Sequence, residues 1–164
     1  MLIRSCMLKK DNRTIDAIYE EVPIEMREDC VFKAEYARAL LSCGDYYSGI
    51  RLVKEYLDRG VLSNQVNNTL LEGLSEGGYD EECLRFYRRL QDMAKEREFA
   101  KEPLQLFVHG NSALIRSMCH LNINAALPFM DEDMQELAKR TLAKIAPLTE
   151  NEYVELAIFA ADEV

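Results

Sequence analysis

Residues 35–60 read EYARALLSCGDYYSGIRLVKEYLDRG, and residues 68–93 read NTLLEGLSEGGYDEECLRFYRRLQDM. Setting Gly44 over Gly78 gives an offset of 34 residues. In that register Leu40 falls on Leu74, Gly49 on Cys83, Leu52 on Phe86, Val53 on Tyr87 and Tyr56 on Leu90. Each half is an apolar helix, a glycine-bearing turn and a second apolar helix. The period also reaches backwards. Ile15, Ile18, Tyr19 and Val22 recur at i, i+3, i+4 and i+7, and they superpose without a gap on Gly49/Leu52/Val53/Tyr56 and Cys83/Phe86/Tyr87/Leu90. One such hairpin cannot bury both of its apolar faces alone; stacked on a neighbour it can, so units come in rows.

Outward from this centre the chain reads as helices throughout, with no alternating strand pattern. Ile3 to Lys9 is apolar enough for a short first helix, and Pro23 ends the first hairpin. A helix over Asp29 to Cys43 turns at Gly44-Asp45, and its partner runs to Asp58, where Gly60 stops it. Gly49 lets the two helices of that hairpin approach closely. Asn64 to Glu76 and Tyr79 to about Ala94 repeat the plan around Gly77-Gly78. After Met93 the period slips through AKEREFAKEP, and a helix restarts over Ser112 to Leu121 until Pro128 interrupts. Asp131 caps a helix carrying Met134, Leu137, Ala138, Leu142 and Ile145 on one face. Thr149-Glu-Asn-Glu152 forms a capping box for a last helix with Tyr153, Leu156, Ala157 and Ala160. The expected fold is all-α: one domain over 1–164, about five antiparallel hairpins with units near 3–22, 29–59, 64–94, 111–130 and 131–161. The last helix is apolar around much of its circumference. Either a further segment follows it, or a partner or second copy covers it.

Composition narrows the function. The net charge of −9 opposes binding of phosphate backbones, which needs a basic stripe. Arg85, Arg88 and Arg89, beside Arg51 and Arg59, read as a solvated helix face. No apolar run approaches the roughly 20 residues of a membrane span, and the start lacks a signal-peptide layout. The five cysteines share no CxxC spacing and cannot be assembled with His109 and His120 into a tetrahedral metal site. They read as reduced core residues in a reducing compartment, nucleus or cytoplasm. Acidic pairs such as Glu20/Glu21 and Glu81/Glu82 sit at helix ends or on polar faces. Cys119 and His120, adjacent on a helix, diverge by about 100° and do not form a nucleophile–base pair. The expectation is no catalytic residue, no metal and no cofactor.

The 34-residue pair of helices resembles the tetratricopeptide repeat, well over residues 12–93 and loosely beyond. Gly49 and Cys83 stand at that family's small second-helix position, and its usual tryptophan and unit-closing proline are absent. The order of DAIYEEV, CVFKAEYARALLSCGDYYSGIRLVKEYL, a second hairpin, a charged connection and FVHGNSALIRSMCHL is similar to the N-terminal domain of Cdc27-like scaffold subunits of the anaphase-promoting complex. That resemblance implies a homodimerising, non-catalytic interaction scaffold of a nuclear ubiquitin ligase that controls the cell cycle and mitosis. GYDEECLRFYRRL suits the tetratricopeptide domain of the signal recognition particle equally well. NNTLLEGLSEGGYDEECLRFYRRLQDM also looks like a pentatricopeptide unit, which would imply RNA binding. Protein partners are expected, with no nucleic acid and no membrane. Lys33, Tyr36, Ala37, Asn67, Asn68 and Leu71 are the candidate groove contacts; Leu137, Leu142, Tyr153, Leu156 and Phe159 are the candidate dimer contacts.

Overall fold

A computed structural model describes residues 12–60, 62–96 and 103–144. They form α1 (Asn12–Glu21), α2 (Ile24–Arg27), α3 (Cys30–Ser42), α4 (Tyr46–Asp58), α5 (Asn64–Glu76), α6 (Asp80–Lys95) and α7 (Val108–Ala126), then a 3-10 turn (Leu127–Phe129) and α8 (Glu132–Lys144). No strand occurs among the described residues, so the fold is all-α. The helices expected over Ile3–Lys9 and after Thr149 lie outside the described residues.

Local chemistry sets the starts and stops. Asp29 and Asp45 cap α3 and α4 by accepting hydrogen bonds from Phe32 N and Ser48 N, and Asp131 does the same for α8 through Met134 N at 2.9 Å. At the end of α3, Gly44 takes a φ of +88°, and Asp45 N and Gly44 N donate to Leu40 O and Leu41 O at 2.9 and 3.0 Å. At the end of α5, Gly78 takes a φ of +80°, with Tyr79 N and Gly78 N on Leu74 O and Ser75 O at 2.9 and 3.1 Å. These are the same closing motif, which a side chain at the glycine would strain.

Two 13-residue helices, α3 and α5, begin 34 positions apart, and so do α4 and α6. α3, α5 and α7 pack in a row, with α4 against α3 and α6 against both α5 and α7. Ala34, Ala37, Leu41, Leu70, Leu71 and Leu74 lie within the core between these helices. Close approach requires small residues. A Cβ on Gly49 would come within 2.5 Å of Leu41, and one on Gly73 within 2.8 Å of the Arg38 Cα.

Two expected boundaries differ. Pro23, expected to end the first hairpin, follows α1 and also opens the extra turn α2, because its fixed φ suits the position before a helix start. The helix expected over Ser112–Leu121 runs from Val108 to Ala126. Its first turn absorbs the HGNS stretch, and Leu127–Phe129 ends it at Pro128 as a 3-10 turn.

Candidate functional site

Where the 34-residue period slips, the chain returns across α5 as an extended segment, Pro103–Phe107, before entering α7. Two asparagines one turn apart on α5 hold it. Asn64 Nδ2 donates to Pro103 O at 2.8 Å, and Gln105 N donates to Asn64 Oδ1 at 2.9 Å. Asn68 Nδ2 donates to Gln105 O at 3.0 Å, and Phe107 N donates to Asn68 Oδ1 at 2.8 Å. Each carboxamide therefore satisfies one carbonyl and one amide of the extended backbone, as a neighbouring strand would. Both asparagines are buried, so the pairing offsets a desolvation cost that either partner would otherwise meet alone. Gly110, at the start of α7, leaves no room for a Cβ against Asn68 Oδ1.

A charged cluster crosses the same row of helices. Arg38 on α3 forks onto Glu76 of α5 through Nη2–Oε1 at 2.7 Å and Nε–Oε2 at 3.2 Å, and its Nη1 reaches Glu72 Oε2 at 2.5 Å. Ser42 Oγ donates to Glu76 Oε2 at 2.7 Å. His109 Nε2 of α7 lies 3.6 Å from Glu72 Oε1, within ion-pair range but beyond a hydrogen bond. Burial pushes the Glu72 carboxyl above its ordinary value; Arg38 and His109 pull it down, and Glu76 and Glu35 add to the rise. Burial alone would lower Arg38, but the Glu76 hydrogen bond and the charges of Glu76, Glu72 and Glu35 raise it. Arg38 thus clamps α3 to α5 by charge.

Most of the residues expected to line an open groove are instead inside. Asn67, Asn68 and Leu71 are fully buried and Ala37 is 1 % exposed. Asn67 Oδ1 accepts from Tyr56 Oη at 2.7 Å, Asn68 holds the returning segment, and Ala37 and Leu71 belong to the main core. The cause is that both faces of α5 are covered, one by α3 and the other by Pro103–Phe107 and α7. Tyr36 is half-buried, stacked on Tyr19 at 3.9 Å, and its hydroxyl donates to Asp16 Oδ1 at 2.8 Å. Lys33 pairs with Glu28 at 3.3 Å. Of the expected dimer contacts, Leu137 is half exposed and Leu142 lies at the end of α8. Tyr153, Leu156 and Phe159 fall outside the described residues.

The cysteines divide by environment. Cys83 and Cys119 are fully buried, whereas Cys30 is exposed at the start of α3, with Arg59 Nη1 at 3.1 Å from its sulfur. The reading of every cysteine as core is therefore corrected for Cys30, which faces outward in the first turn. Burial pushes the Cys83 thiol up to about 12, which leaves it protonated and unsuited to nucleophilic attack at neutral pH. His120, next to buried Cys119, reaches away to Asp80, with Nδ1 at 3.2 Å from both carboxylate oxygens, and ties α7 to the start of α6. Among the described residues no group of three His, Cys, Asp or Glu side chains could hold a metal ion, and no helix is long and apolar enough to cross a membrane.

Residues 111–160 match a family described as "Putative transposon-transfer assisting protein". The match begins in the first turn of α7, spans α8 and covers under a third of the chain. No curated protein and no solved structure matches the chain. This finding overturns the resemblance to tetratricopeptide, signal-recognition-particle and pentatricopeptide proteins, and with it the homodimerising anaphase-promoting-complex scaffold and its ubiquitin and cell-cycle roles. The physical reason is that a 34-residue spacing follows from helix and turn lengths alone. Two 13-residue helices, a three-residue turn and a five-residue link produce it without shared descent.

Proposed function

We propose that this chain assists the transfer of a transposon, and that it does so by binding a protein. The observation that carries the reading is the match of residues 111–160 to the transposon-transfer assisting family. Three further features support it. Within the matched region, α7 packs on α5 and α6. The net charge of −9 disfavours direct contact with the transferred DNA. The chemistry found among the described residues clamps helices together, with a buried, protonated thiol in place of an activated nucleophile. The recurrence of α3/α4 in α5/α6 supports stacked antiparallel hairpins as the start of a superhelix.

The test is genetic. Deleting the chain from the element that carries it should lower the element's transfer frequency by at least tenfold, with recovery when the intact chain is supplied in trans. Unchanged transfer in the deletion would overturn the role.

A further inference from the structure

Three tyrosines gather over the two glycine turns. Asp45 and Tyr79 hold the same place in the 34-residue register, directly before α4 and α6. A Cβ on Gly77 would come within 2.5 Å of Leu41 O and 2.6 Å of the Tyr79 ring, so the second turn lies against the end of α3 with that ring pinned on it. The Tyr46 centroid is 5.0 Å from Tyr79, with the rings tilted by 56°, and 5.7 Å from Tyr47, nearly edge-on at 75°. Tyr46 and Tyr79 are half-buried, whereas Tyr47 is 85 % exposed, which leaves its ring faces to solvent. Two carboxylates attend the cluster. Burial raises the Tyr79 hydroxyl above its ordinary value, and the charges of Asp45 and Glu82, with Tyr46, add to the rise. The other charges nearby are matched. Arg51 pairs with Glu55 at 4.0 Å, Arg85 with Glu81 at 3.3 Å, Arg89 with Glu96 at 4.0 Å, and Asp80 turns to His120. Asp45 and Glu82 then outweigh Lys54, which shares a groove with Tyr46 and Glu82. None of the chain's own cations stands over these rings; among the described residues the cation–ring contact is Arg27 over Tyr19 at 5.8 Å.

From this we infer that the Tyr46–Tyr47–Tyr79 cluster docks an arginine on a basic segment of a partner protein, with the guanidinium over the open Tyr47 ring and Asp45 and Glu82 as its balancing charges. The choice of a cation follows from the ring: an aromatic face carries negative quadrupole density and attracts positive charge. The choice of arginine over lysine follows from shape and hydration. A guanidinium is planar, stacks on a ring and gives up its water more readily than an ammonium. The net charge of −9 steers a basic segment toward the chain and sets its association rate and specificity. A nucleic acid could stack its bases on the same rings, but its phosphates would meet Asp45 and Glu82. The inference rests on the protein-binding half of the proposed function and not on the transfer role, so binding measured on the purified full chain fails or succeeds independently of the transfer assay.

The probe is a fluorescein-labelled peptide of alternating arginine and glycine, compared with a counterpart in which citrulline, the uncharged isostere, replaces each arginine. Fluorescence anisotropy is read at about 0.15 M salt, where distant surface charges are largely screened. The arginine peptide should bind and the citrulline peptide should not. Tyr47→Leu keeps an apolar side chain but removes the ring, and it should weaken binding about two- to fivefold, the loss of one exposed cation–ring contact. Tyr47→Phe keeps the ring and should bind as the parent does. Glu82→Gln should weaken binding on its own and further when combined with Tyr47→Leu, with circular dichroism confirming that each variant is folded. The pair Glu132→Gln/Asp133→Gln, exposed at the start of α8, should leave binding unchanged. Undiminished binding by Tyr47→Leu, equal binding of the citrulline peptide, or a loss in the α8 variant as large as in Glu82→Gln would reduce the effect to diffuse attraction and overturn the inference. Binding of a thymidine oligonucleotide that Tyr47→Leu removes would make the rings a base-stacking platform and overturn the partner arginine.

Discussion

Asn64 and Asn68 stand one helical turn apart on α5, and together they hold four backbone polar groups of one extended segment, Pro103 O, Gln105 N, Gln105 O and Phe107 N. The segment that breaks the 34-residue period is therefore part of the packed structure. It closes the outer side of α5 and delivers the chain to α7.

Removing one arm of this clasp leaves two backbone groups and loses a buried carboxamide. Asn68→Ala should cost about 1–3 kcal/mol, the penalty of orphaned buried polar groups. Asn68→Asp keeps the acceptor for Phe107 N but loses the donor to Gln105 O, so it should also destabilise. The check is urea unfolding followed by circular dichroism; a loss of under about 0.5 kcal/mol for Asn68→Ala would show that the clasp does not hold the segment.

Gly73 tests which of two opposed effects wins. In an exposed helix, glycine to alanine stabilises by up to about 1 kcal/mol. Here the new Cβ would meet the Arg38 Cα at 2.8 Å, backbone that cannot step aside as a side chain can. Overpacking of about 1–3 kcal/mol should prevail, so Gly73→Ala should lower Tm. A raised Tm would mean that α3 and α5 separate freely.

Glu72 should leave a signature in the pH dependence of stability. Burial holds its folded carboxyl above the ordinary 4.5, against the pull of Arg38. The folded chain thus binds this proton more tightly than the unfolded chain. Its contribution is fully present below 4.5 and is lost as pH rises through the folded value. Glu72→Gln removes the term, so the variant's stability relative to the parent should improve as pH rises from about 4 to 7. A difference that stays flat with pH would contradict the assignment.

Thiol reactivity should separate the cysteines by environment. Brief alkylation of the native chain near neutral pH, followed by peptide mass mapping, should modify Cys30 and spare Cys83 and Cys119. Cys30 is exposed; Cys119 is fully buried, and burial raises Cys83 to about 12. Labelling of Cys83 as fast as Cys30 in folded protein would mean that α5 and α6 open readily.

The legible part of this molecule was the part set by short-range chemistry. Gly44 and Gly78, read as turns, both adopt positive φ, and the α5 helix read over Asn64 to Glu76 has those bounds. Asp131 caps α8 as its position suggests. What misled was face assignment. Asn67 and Asn68 look like polar groove residues because their polarity is visible in the sequence and their partners are not. Tyr56 lies 11 positions away from Asn67, and Phe107 lies 39 from Asn68. The sign in the sequence was the cluster of asparagines Asn64, Asn67 and Asn68 in one helix, since carboxamides that become buried demand partners.

By itself the sequence determined an all-helical chain, the two glycine turns, the 34-residue recurrence and the charge that disfavours nucleic acid, because helix periodicity, caps and net charge are properties of neighbouring residues or of the whole composition. Only the tertiary structure decided that α5 is covered on both sides, that Arg38 ties Glu72 and Glu76 across helices, and that consecutive hairpins bring Tyr46 against Tyr79. Those relationships join residues far apart in the chain, and they depend on how closely helix backbones approach, which a glycine such as Gly73 permits but does not announce.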